Sequence, residues 1–158
     1  MTRRPSLARL FADLDARYFD GKLADAEWEA VYTGRCPSQR GRTIVAGECV
    51  EDEQRIYVLR GRLTPRRLRR ILLHEMAHAR TSENAVANDP ASDAWQHGAG
   101  WRAEMRRIAS MGEPWAARQA ARYEQEQTAA KAVALAKALG AAPLFAAHPE
   151  LLRRIDTD

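Results

Sequence analysis

The sequence predicts an α+β fold: an N-terminal helix, a short antiparallel or mixed sheet, and then helices. Three observations predict it. Apolar residues recur with helical period over residues 6–19 and again over about 64–80. Runs rich in β-branched and aromatic residues lie between those two stretches. Everything after residue 97 reads as helices broken by Gly112 and Pro114.

The elements follow in order. Ser6 is placed to cap the first helix, and Leu7, Leu10, Phe11, Leu14 and Tyr18 form its apolar stripe. Asp20 and Gly21 signal a turn. Residues 28–32 read as a short strand, and 34–42, with Pro37 and Gly41, as a loop. Residues 43–50 and 55–59 are β-rich and flank the acidic stretch 51–54, which predicts a hairpin. Thr64 followed by Pro65 is a cap and a first helical position, opening a helix to about residue 80. Residues 81–96 are polar and read as a loop. A helix from about 97 to 111 stops at Gly112. Pro114 opens an Ala-rich helix to about 139, ended by Gly140, and Pro149 starts a last turn. The compositional break near 112–114 divides the chain into an expected core, residues 1–112, and a helical extension, 113–158.

Composition excludes several classes. The chain has 158 residues, 46% hydrophobic and 29% charged, enough to bury a core without covalent staples. No apolar run approaches the roughly 20 residues of a membrane span, and the N-terminus lacks the apolar segment of a secretory signal. Cys36 and Cys49 are too few for a disulfide scaffold, so a reduced, cytoplasmic protein with no membrane partner is expected. Net charge is only +4, but it is uneven: residues 1–80 carry 16 Lys and Arg against 11 Asp and Glu. Arg60, Arg62, Arg66, Arg67, Arg69 and Arg70 concentrate that excess, a patch that can attract nucleic acid.

The chemistry centres on His74-Glu75-Met76-Ala77-His78. Two histidines at i and i+4 project from one helix face about 6 Å apart, as two ligands of one tetrahedral zinc require. The Glu between them can take a proton from water activated by the metal. Leu68, Leu72, Met76 and Ala79 form the neighbouring apolar side.

A catalytic zinc takes a third protein ligand and keeps a position for water. Thr81 and Asn84 stand where a metzincin would have glycine and histidine, which excludes that group. His97, Glu104, Glu83, Asp89, Asp93 and His148 remain as candidates. His97 is the first choice, because it follows a loop and starts a helix whose Gly98 allows close approach. Glu104 is the next. On a helical wheel Arg67 falls at about 100°, between His74 at about 80° and His78 at about 120°. It stands roughly 10 Å before His74 along the axis. Arg67, with Arg70 at the rim, is therefore expected to hold an acidic substrate segment or a nucleic-acid phosphate. Residues 56–59 are expected to form an edge that pairs with an extended substrate backbone.

The motif, a loop, then His97-Gly98-Ala99-Gly100-Trp101 and Met105 resemble the SprT-like metallopeptidases, which include the Spartan-type proteases. Upstream, Arg17-Tyr18-Phe19-Asp20-Gly21-Lys22-Leu23 is similar to the end of that family's first helix. Gly47, then Ile56-Tyr57-Val58-Leu59, then Leu72-Leu73-His74-Glu75 keep the family's order, so the resemblance spans about residues 6–111. It implies a small zincin-like fold with the sheet on the active-site helix. It also implies zinc on His74, His78 and His97, and Glu75 as general base. Some members cleave proteins crosslinked to DNA, which makes DNA-associated proteins one expected substrate class. The chain departs from many members in having no cysteine beyond residue 49, hence no zinc ribbon, and no counterpart of the eukaryotic binding tails. The competing reading is a zinc-containing DNA- or protein-binding module without protease activity. Glu75 argues against it, because a structural zinc has no use for that carboxylate.

Overall fold

A computed structural model describes residues 6–38, 45–61, 63–81, 89–92 and 95–138. The chain forms two compact units, Met1–Ser82 and Glu83–Asp158. Arg62, Glu83, Asp93 and His148, together with the turn expected at Pro149, lie outside the described residues.

The first unit opens with helix α1, Leu7–Tyr18, whose Ser6 side chain accepts from Arg9 N at 3.4 Å. Leu7, Phe11, Leu14 and Tyr18 are buried, as the stripe predicts. The chain reverses through Asp20 (φ 58°) and Gly21 (φ 75°) into the single-turn α2, Lys22–Asp25. Asp15 fixes that reversal. Its buried carboxylate accepts from Leu23 N at 3.2 Å and Ala24 N at 2.8 Å, satisfying two orphan donors of α2.

Three strands follow: β1, Glu29–Thr33; β2, Gly47–Val50; and β3, Arg55–Leu59. The sheet order is β1-β3-β2, with β3 parallel to β1 and antiparallel to β2. The expected hairpin is therefore present, in a mixed sheet. One expectation is corrected: residues 56–59 are the central strand, not an edge, because β1 pairs along the side of β3 that β2 leaves open. Ile56 and Val58 are fully buried, as a central strand's inward residues should be. The outer strands among the described residues are β1 and β2. Arg55 secures the first β1–β3 register pair by a salt bridge to Glu29.

Helix α3, Pro65–Thr81, starts where Thr64 Oγ1 accepts from Arg67 N at 3.2 Å. It buries Leu68, Leu72, Leu73, Met76, Ala77 and Ala79, and it packs on β2 and β3. A fully buried Leu or Met contributes roughly 1.5–3 kcal/mol each, so this face carries much of the unit's core.

The second unit is built on α4, Ala99–Ser110, and α5, Pro114–Ala138, packed against each other. Gly112 (φ 107°) takes the left-handed conformation that ends α4. Trp101, Met105 and Ile108 are buried on α4, and Trp115, Ala116 and Ala120 on α5. Beyond residue 128 α5 buries no side chain, and Leu135 is 61% exposed. No helix among the described residues is long and apolar enough to cross a membrane.

Candidate metal centre

In the first unit α3 brings His74 and His78 together. Their Nε2 atoms are 3.3 Å apart and the ring centroids 5.0 Å. Metal–nitrogen bonds of about 2.0–2.1 Å at a tetrahedral angle set two ligand nitrogens about 3.3–3.4 Å apart, so the pair fits a shared ion. The same separation is long for an N–H···N hydrogen bond.

Glu75 is turned inward and buried. Its position depends on β2. A Cβ on Gly47 would stand 2.6 Å from Ile71 Cγ2 and 3.0 Å from Glu75 Cγ and Oε1, so only glycine lets the strand and helix approach this closely. Burial, and secondarily the charge of Glu48, push the Glu75 carboxyl up from 4.5 to about 8. The backbone N–H of Cys49 opposes this by donating a hydrogen bond to the carboxylate. Glu48 is itself held by Ser38 N, 2.9 and 3.1 Å from its two oxygens. The same setting raises both thiols: Cys36 to about 11 by burial and then Glu48 and Glu75, and Cys49 upward by burial and then Glu75, Glu51 and Glu48.

In the second unit His97 is 7% exposed. Its imidazole stacks on Tyr123 with centroids 3.8 Å apart and planes within 3°. Trp95 and Trp101 meet it edge-on at 5.2 and 4.7 Å. Of the other candidate ligands, Glu104 is held by Arg107, at 2.6 and 3.0 Å. Exposed Asp89 accepts from Ala91 N at 2.9 Å.

Arg66 and Arg67 are exposed, and Arg70 is half-buried. Arg69 does not present its charge freely: its Nη2 donates to Tyr18 Oη at 2.9 Å and its guanidinium lies over the Tyr18 ring. Gly47, Glu48 and Cys49 as neighbours of Glu75, and Tyr123 as a neighbour of His97, are contacts that only the fold reveals. Gly47 stood only as one landmark of the resemblance. Tyr123 offered a signal, since it follows Ala116 and Ala120 on one helical stripe.

An α+β protein whose first unit sets the His74 and His78 nitrogens at the separation a shared metal ion imposes has two of the donors such an ion needs. The family model for SprT-like proteins matches residues 7–128, and the chain belongs to the SprT-like family. That family is associated with metallopeptidase function. No curated protein and no solved structure matches the chain.

Proposed function

We propose that the protein is a zinc-dependent metallopeptidase with a zincin-like active site, hydrolysing peptide bonds in protein substrates. The observation that carries this is the His74–His78 pair, 3.3 Å between Nε2 atoms, with buried Glu75 on the same helix. Family membership supports it. His97 completes the ligand set of one zinc ion, and Glu104, committed to Arg107, is set aside. Zinc held there supplies Lewis-acid chemistry, acidifying water and polarising a carbonyl.

The chain's own residues do the rest. Glu75 accepts the proton of the attacking water and hands it to the leaving amine. Burial raises this carboxyl, which favours handing the proton on, and a cation held beside it would draw it back down so that it can accept. The Cys49 N–H steadies the carboxylate form. The outer strand β2, beside Glu75, is the edge on which an extended substrate backbone can pair. Backbone pairing gives little sequence preference and leaves selection to access. The substrates proposed are DNA-associated or DNA-crosslinked proteins, brought in by Arg60, Arg66 and Arg67, with Arg70 at the rim. The two free thiols suit a reducing compartment, which makes the cytoplasm the proposed location.

The test is elemental analysis for zinc with casein and self-cleavage assays of wild type and Glu75→Gln, each with and without single- and double-stranded DNA. Zinc near one per chain and Glu75-dependent cleavage are expected. Bound zinc with no Glu75-dependent cleavage under any condition would leave a zinc-containing binding module instead.

A further inference from the structure

A histidine that ligates metal works best when its ring is already oriented, because ordering it on binding weakens the site. In the second unit that orientation is built in. The flat stack of His97 on Tyr123 fixes the plane of the imidazole. Trp95 and Trp101 close two sides and each also meets Tyr123 edge-on, at 5.5 and 5.3 Å. The backbone is tethered as well. Buried Arg102 donates from Nη1 to the His97 carbonyl oxygen at 2.9 Å and to Gln127 Oε1 at 2.9 Å. Gln127 donates in turn to Ser92 O at 3.2 Å, so Ser92 joins the same network. A buried guanidinium on neutral oxygens is a costly way to pack two helices, and an apolar side chain would do that alone. As a tether on His97 it has a use.

We infer that Tyr123 and Gln127 of α5 are positioning residues for His97, Tyr123 by fixing the ring and Gln127 by fixing the backbone through Arg102. The inference rests on the reading of His97 as a zinc ligand. It makes the first half of α5 part of the metal centre, so the metallopeptidase unit runs past Gly112 to Gln127. The family match, which ends at residue 128, includes both residues.

The test is zinc affinity, measured by competition with a chromophoric chelator. The variants are His97→Ala, Tyr123→Phe, Tyr123→Ala and Gln127→Leu, with the last two also placed in the His97→Ala background. Circular dichroism of each metal-free protein reports folding. Tyr123→Ala and Gln127→Leu are expected to weaken zinc about 10–100-fold, and Tyr123→Phe to stay near wild type. In the His97→Ala background neither substitution should weaken zinc further, because the residue it positions is gone. A Tyr123→Ala protein that fails to fold leaves Gln127→Leu, in the same cycle, to decide. Wild-type affinity in the folded variants, or an equal loss with and without His97, overturns the inference alone. Wild-type affinity in His97→Ala overturns the ligand reading and this inference with it.

Discussion

Glu75 is the residue on which the proposed chemistry turns, and it separates metal binding from catalysis. Gln keeps the shape but cannot take a proton. Glu75→Gln should therefore retain zinc while cleavage falls about 10²–10⁴-fold, read by elemental analysis beside a casein assay. The thiols make a second prediction. With Cys36 pushed up to about 11, its thiolate fraction is small at pH 8 and rises about tenfold per pH unit up to about pH 10. Cys36 is also only 1% exposed, so in the folded protein iodoacetamide should alkylate it far more slowly than a free thiol throughout that range. Alkylation near pH 9 at the rate of an ordinary exposed thiol would contradict the burial argument. His74, Glu75 and His78 were legible in the sequence because helical period alone sets which residues share a face. The surroundings of Glu75 were not. Gly47, Glu48 and Cys49 lie more than 25 residues upstream, and only strand register brings them to the helix.

The elements were mostly legible because each carries its own local signals. Ser6 caps α1 and Thr64 caps α3, and Asp20 and Gly21 take positive φ at the expected turn. The order of strands was not, because nothing local tells β3 to pair with β1 in parallel. That single long-range choice moved residues 56–59 from edge to centre. Helix α5 shows another blind spot. Its buried residues are Trp115, Ala116, Ala120 and Gln127, with Tyr123 stacked on His97, and the two alanines among them carry no apolar signal that marks a packing face. Small residues bury little area but let helices come close, so their stripe is easily overlooked. Two substitutions probe packing at this scale. Leu72→Ala, at a fully buried position, should cost about 2–5 kcal/mol, seen as a lower urea midpoint at unchanged m-value. Gly47→Ala drives a methyl into Ile71 and Glu75, and should cost about 1–3 kcal/mol by overpacking. It should also lower cleavage more than zinc content, since it displaces the carboxylate and not the histidines.

For the whole molecule, the charge asymmetry and the metal make separate predictions. The basic excess lies in residues 1–80, and Arg67 is exposed at the start of the histidine-bearing helix. If it touches phosphate, Arg67→Ala should lower the salt dependence of DNA binding by about one counterion. Zinc content should not change. The metal bears on folding itself. An ion bound by the folded chain and not by the unfolded one stabilises by mass action, about 2.7 kcal/mol at a hundred times its dissociation constant. Chelation should lower the melting temperature of wild type, and added zinc should restore it. His78→Ala, which splits the 3.3 Å nitrogen pair, should melt at the chelated value with or without chelator. Glu75→Gln should keep the full zinc-dependent shift. A His78→Ala protein that still gained wild-type stability from zinc would mean that the ion sits elsewhere.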